Sequence, residues 1–188
     1  MHEDRILVNK LKNFENINSN FLTITLVLIG SILLAISAKV QVPFWPVPMT
    51  MQTFVIFLIG MTYSIRLSFA TVAFYLFQGA IGLPVFAAGG GIAYLVGPTA
   101  GYLYGMLFAS IVISYLANLG FSKTYFKATV SLLIGSAIIF SFGIIYLGYI
   151  IGFEKAVAAG LLPFIPSELF KIALAVALIP TLHKIITK

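Results

Sequence analysis

The stretch ATVSLLIGSAIIFSFGIIYLGYII (Ala128–Ile151) carries no charged side chain and no proline. An α-helix rises ~1.5 Å per residue, so crossing ~30 Å of hydrocarbon takes about 20 residues. This run is long enough to span a bilayer, and it is not alone. Mainly apolar runs of about that length extend from Phe21 to about Lys39, from Pro98 to about Leu119 and from Ser167 to about Ile186. Two shorter ones, about Thr50–Tyr63 and about Leu67–Ile81, flank a tight turn at Arg66. Across the 188 residues, 61% are hydrophobic and 9% charged. A soluble domain has about 45–50% apolar and about 25% charged residues, so a surface this poor in charge faces lipid. The ~10-residue alternation of an outer-membrane barrel is missing. The expected fold is an all-α membrane protein of six transmembrane helices, with one domain over 21–188. Residues 1–20 read as a cytoplasmic amphipathic segment, with Ile6, Leu7, Leu11 and Phe14 at helical spacing.

Composition also narrows the function. The chain has no cysteine, which excludes disulfides, thiolate metal sites and cysteine nucleophiles. His2 and His183 stand at opposite ends, a poor basis for a metal site or a triad. Neither a metal nor a cofactor is expected. The net charge of +6 comes from basic residues set singly or in loose pairs beside apolar runs. That pattern reads as a topology signal rather than a nucleic-acid surface. No cleavable signal peptide is expected at the polar, acid-containing start. Of the eleven Lys and Arg, eight (Arg5, Lys10, Lys12, Arg66, Lys123, Lys127, Lys184, Lys188) fall on the side of the termini. Lys39, Lys155 and Lys171 fall on the other. The positive-inside rule then makes the termini cytoplasmic.

Two segments break the helical pattern, and both belong to the outer face. In Val40-Gln-Val-Pro-Phe-Trp-Pro-Val-Pro-Met49 the prolines Pro43, Pro46 and Pro48 remove backbone donors and favour extended neighbours. The second segment runs from Gly82 to Gly97. Irregular backbone near membrane depth must be buried in protein or line a cavity. A ligand site is therefore expected where helix is given up: at these loops and at the Pro163–Pro166 break. The residues 154–162 before that break read as a short connector, and Ser167 as an N-cap.

Glu168 and Lys171 lie i,i+3 on one face of the last span. Ionisable groups inside a span are costly and face a cavity or a partner. The alternative is a structural pair near the interface. Lys39 reads as a snorkelling span end. Gln52 bonds either a ligand or a neighbouring helix. Gly89, Gly90 and Gly91 either bring backbone N–H groups to a ligand or form a plain turn. Phe44, Trp45, Tyr94 and Tyr102 line a pocket or anchor the interface. Gly97, Gly101 and Gly105 read as a helix-packing face, and Ser31 and Ala35 as another, open to the bundle or to another subunit.

Four stretches together resemble the BioY family, the biotin-specific substrate-binding subunits of energy-coupling factor (ECF) transporters. They are Val42-Pro-Phe-Trp-Pro-Val-Pro-Met-Thr-Met-Gln-Thr53, Gly82-Leu-Pro-Val-Phe-Ala87, Gly97-Pro-Thr-Ala-Gly-Tyr102 and Pro163 to Lys171. The resemblance implies a six-helix subunit of the cell membrane that binds biotin from outside and is not an enzyme. It also implies a transmembrane coupling subunit, docked on the face of Ser31 and Ala35, and two cytoplasmic ATPases. The chain lacks a G-x-x-x-x-G-K-[ST] loop, so ATP would be hydrolysed on those partners. It implies an aspartate where this chain has Glu168. For biotin, Glu168 would accept from a ureido N–H, and Lys171 or Gln52 would donate to the ureido carbonyl. The valerate carboxylate would go to the Gly89–Gly91 backbone, Tyr94 or Tyr102. Other readings are a binding subunit for another vitamin and an intramembrane enzyme using Glu168 and Lys171.

Overall fold

The computed structural model describes residues 19–186, with side chains for 20–181. The expected amphipathic segment therefore falls outside the described residues, apart from its last two positions. So do the side chains of His183 and Lys184. The elements are α1 (Ser19–Lys39), β1 (Gln41–Val42), β2 (Met49–Thr50), α2 (Gln52–Thr62), α3 (Ile65–Ala80), α4 (Ala100–Asn118), α5 (Tyr125–Ile151), α6 (Phe153–Gly160) and α7 (Ile165–Ile186). Short 3₁₀ turns cover Ile92–Val96 and Leu162–Phe164. Six helices, α1 to α5 and α7, correspond to the six expected spans. Among the described residues, four helical stretches are long and apolar enough to cross a membrane: Asn20–Lys39, Ala100–Asn118, Tyr125–Ile151 and Phe153–Thr181. Their outward surfaces are large apolar side chains such as Ile29, Ile32, Phe142 and Phe170.

The shortest of the six is α2. Its 11 residues reach only about 16 Å at ~1.5 Å per residue, roughly half the hydrocarbon. The chain before it is not helical. It forms a two-stranded antiparallel hairpin pairing Gln41 with Thr50 and Val42 with Met49, and Pro43, Pro46 and Pro48 occupy its loop. A proline cannot supply a ladder donor, so these residues stay in the turn and leave only two residues per strand. The second irregular segment folds over the same end. Gly82, Gly89 and Gly91 there take φ of 99°, 137° and 97°, values that side chains disfavour.

Close helix approach follows the small residues. A Cβ on Gly101 would stand 2.5 Å from Phe142 O, and one on Gly105 2.9 Å from the Ile139 backbone. These two glycines therefore let α4 and α5 pack backbone to backbone. Gly97 differs from the expected packing role. It ends the 3₁₀ turn, its N–H donating to Tyr94 O, and a Cβ there would meet only ordinary contacts. The connector expected over 154–162 is instead the helix α6, separated from α5 by Gly152 at φ 89°. Ser167 is not an N-cap, because the 3₁₀ turn runs straight into α7, which begins at Ile165. Pro166 sits in that first turn, where its missing N–H leaves no intrahelical bond unmade.

Candidate functional site

Where α2 stops short, the hairpin, the glycine-rich loop and the first turns of α4 and α7 enclose a cavity. Its lining includes Val47, Pro48, Thr50, Gln52, Thr53, Ala87, Tyr94, Thr99, Tyr102, Phe164, Glu168 and Lys171. The space not filled by atoms is ≈ 520 Å³, including the open mouth. The N-termini of α2, α4 and α7 all end at it. Their partial positive charge favours anions there, Glu168 among them.

Glu168 and Lys171 are 4% and 3% exposed, and Lys171 Nζ lies 3.0 Å from Glu168 Oε2. Two hydroxyls complete the pair. Thr53 Oγ1 donates to Glu168 Oε2 at 2.8 Å and accepts from Lys171 Nζ at 2.9 Å. Ser136 Oγ donates to Glu168 Oε1 at 2.9 Å. Lys171 also donates to Thr50 O at 3.0 Å. An ammonium has three donors, and all three are engaged within the chain. The carboxylate keeps acceptor capacity on Oε1. A buried ion pair is tolerable when its remaining hydrogen-bonding positions are filled in this way.

Gln52 lies beside this network. Its Nε2 donates to Tyr75 Oη at 2.8 Å, and its Oε1 accepts from Thr50 Oγ1 at 3.2 Å. Opposite the polar floor stands an aromatic wall. Tyr102 and Phe164 stack with centroids 6.5 Å apart, and Phe140 meets each edge-on at 6.2 Å. Tyr102 is wedged against α5, where a Cβ on Gly143 would come within 2.3 Å of its ring. Its hydroxyl donates to Gly160 O at 2.8 Å, which ties the wall to α6.

The expected site residues thus divide. Glu168, Lys171, Gln52, Tyr94 and Tyr102 converge on the cavity. Phe44 stands one layer out, edge-on to Phe164 at 6.2 Å. Trp45 is 82% exposed and faces away beside Lys155 and α6, in the position of an interfacial anchor. Gly89 and Gly91 donate their N–H groups to Phe86 O and Gly79 O, and Gly90 borders a separate shallow depression. No glycine of the three lines the cavity itself. Ser31 is fully buried in the chain's own bundle and donates to Leu28 O; Ala35 is half-buried. The open apolar face of α1 runs instead through Ile29, Ile32, Leu33 and Ile36. Lys39 does not snorkel away: its Nζ turns onto Phe86 O at 2.6 Å, and Gln41 Nε2 reaches Ala87 O at 3.2 Å. The two residues hold the loop through its Phe86 and Ala87 carbonyls.

Sequence reasoning missed Thr53, Ser136, Phe140, Phe164 and Tyr75. Ser136 carries one faint signal, a hydroxyl amid the apolar run Ala128–Ile151, but Ser131 and Ser141 share it.

The family profile described as the BioY family matches residues 10–188. The chain belongs to the BioY family. It is 36% identical over 168 residues to a Rickettsia prowazekii protein named probable biotin transporter BioY, covering 89% of this chain and 86% of that one. It is 36% identical over 155 residues to the biotin transporter BioY of Thermotoga maritima, covering 81% and 90%. A crystal structure of the S-component for biotin from an ECF-type ABC transporter superposes with a TM-score of 0.78. Sequence identity there is 26%, and 89% of this chain and 95% of that one are covered.

Proposed function

We propose that this cavity binds biotin and that the chain is the substrate-binding subunit of an ECF-type ABC transporter. One observation carries the assignment: in a member of this family, a buried carboxylate with an unfilled acceptor position lies at the polar floor of an otherwise apolar cavity. Biotin's fused rings are largely apolar and suit Tyr102, Phe140 and Phe164, while its ureido N–H groups need acceptors. Glu168 Oε1 and Gln52 Oε1 are such acceptors. Lys171, with its donors engaged inside the chain, holds the Glu168 carboxylate aimed, and reaches a ligand carbonyl only by exchanging one of its bonds. With Gly89 and Gly91 committed to the loop, the valerate carboxylate is left to Tyr94 and to the helix N-termini.

In this reading the six spans place both termini in the cytoplasm and open the cavity to the outside. A coupling subunit meets the exposed side of α1 around Ile32, Ala35 and Ile36. Paired cytoplasmic ATPases supply the energy, and this chain catalyses nothing. The test is calorimetric titration of the detergent-purified chain with biotin, thiamine and riboflavin. Saturable binding of biotin alone is expected. Binding of another vitamin in its place would move the chain to a different substrate.

A further inference from the structure

Tyr75 is fully buried on α3 and lies outside the cavity lining, yet its hydroxyl sits in a chain of bonds that ends there. Tyr75 Oη donates to Val85 O at 3.0 Å and accepts from Gln52 Nε2 at 2.8 Å. A carbonyl oxygen can only accept, so the single Tyr75 proton is committed to Val85. The hydroxyl oxygen then requires a donor, which only the NH₂ end of Gln52 supplies. Rotating the amide by half a turn would set two acceptors against each other. Either Val85 O or Gln52 Oε1 would then lose its donor, at the cost of an unsatisfied buried group. The amide is therefore locked. Nε2 points back toward Tyr75, and Oε1 points toward Thr50, which does line the cavity.

We infer that Tyr75 is a positioning residue for substrate recognition: by fixing the Gln52 amide from behind, it makes Gln52 a hydrogen-bond acceptor toward the ligand. The site then presents two acceptors, Gln52 Oε1 and Glu168 Oε1, and selects a ligand with two N–H donors, as a cyclic urea has. This inference rests on the biotin reading above. Without Tyr75 only the Thr50 hydroxyl holds the amide, and since a hydroxyl donates or accepts the amide can turn and offer NH₂ to a ligand that is itself a donor.

The test is a double-mutant cycle of Tyr75→Phe and Gln52→Ala, read by calorimetric titration with biotin and by thermal melting. Tyr75→Phe should weaken biotin binding by about three- to tenfold, the worth of one neutral hydrogen bond. In the Gln52→Ala background it should change affinity less than about twofold, because its intermediary is gone. Melting separates positioning from loop support, since loss of the Val85 bond lowers stability equally in both backgrounds. An equal affinity loss in both backgrounds would show that Tyr75 acts only by holding the loop, and would overturn this inference while leaving the biotin reading intact. Unchanged affinity in Tyr75→Phe would overturn it as well. No biotin binding by the unaltered chain would remove the biotin reading and this inference with it.

Discussion

Removing Lys171 should harm the fold and the site in separable ways. In Lys171→Met three acceptors each lose one donor: Thr50 O, Thr53 Oγ1 and Glu168 Oε2. Glu168 keeps only the Thr53 and Ser136 hydroxyls, and its charge is left uncompensated. Breaking a buried pair from one side costs about 3–5 kcal/mol. Glu168→Gln strands the ammonium instead, because a neutral amide can accept its hydrogen bond but supplies no countercharge. At about 2–4 °C per kcal/mol for a chain of this size, each single variant should melt on the order of 10 °C lower. The double variant Glu168→Gln/Lys171→Met buries no charge. Its loss should fall short of the sum of the singles by about 2 kcal/mol or more, a coupling expected of residues in one network. Biotin affinity should not recover with stability, since the ligand's charged acceptor is gone. It should stay about ten- to a hundredfold weaker or worse, the worth of a hydrogen bond to a charged group. Differential scanning fluorimetry and biotin calorimetry on the four proteins decide the matter. Additive melting shifts would mean that the two residues do not act as a pair. Wild-type affinity in the double variant would mean that the pair is only structural, and the ligand would have to be sought at the loops.

Two further outcomes are expected. Gly79→Ala should loosen the cavity roof, because its Cβ would overlap the Phe86 ring, and Phe86 anchors the loop whose next residue, Ala87, lines the cavity; a several-fold faster biotin release by stopped-flow checks it, and an unchanged rate refutes it. Because the chain has no native cysteine, Ala88→Cys and Lys123→Cys report topology directly. They should react with an impermeant maleimide from opposite sides of the membrane, and labelling from one side would refute the topology.

The sequence alone determined the solvent and, from it, most of the architecture. Long uncharged runs such as Ala128–Ile151 admit few structures in lipid, because every backbone group must be bonded within its own segment. The same rule marked the two proline- and glycine-rich interruptions as buried in protein or lining a cavity, and the charge of Glu168 and Lys171 marked the last span. These inferences needed only composition, length and local spacing. Only the tertiary structure decided which partners meet. Thr53 and Glu168, 115 residues apart, and Ser136 and Glu168, 32 apart, share a carboxylate because α2, α5 and α7 converge where α2 is short. A hydroxyl in an apolar span looks the same in sequence whether it bonds its own helix, as Ser110 does to Leu107 O, or an ion pair on another. Tertiary packing also turned Lys39 onto the loop, buried Ser31 within the bundle and sent Trp45 outward. Each of these side chains lies near the end or on the flank of its segment, where local sequence permits several directions and the neighbouring backbone selects one.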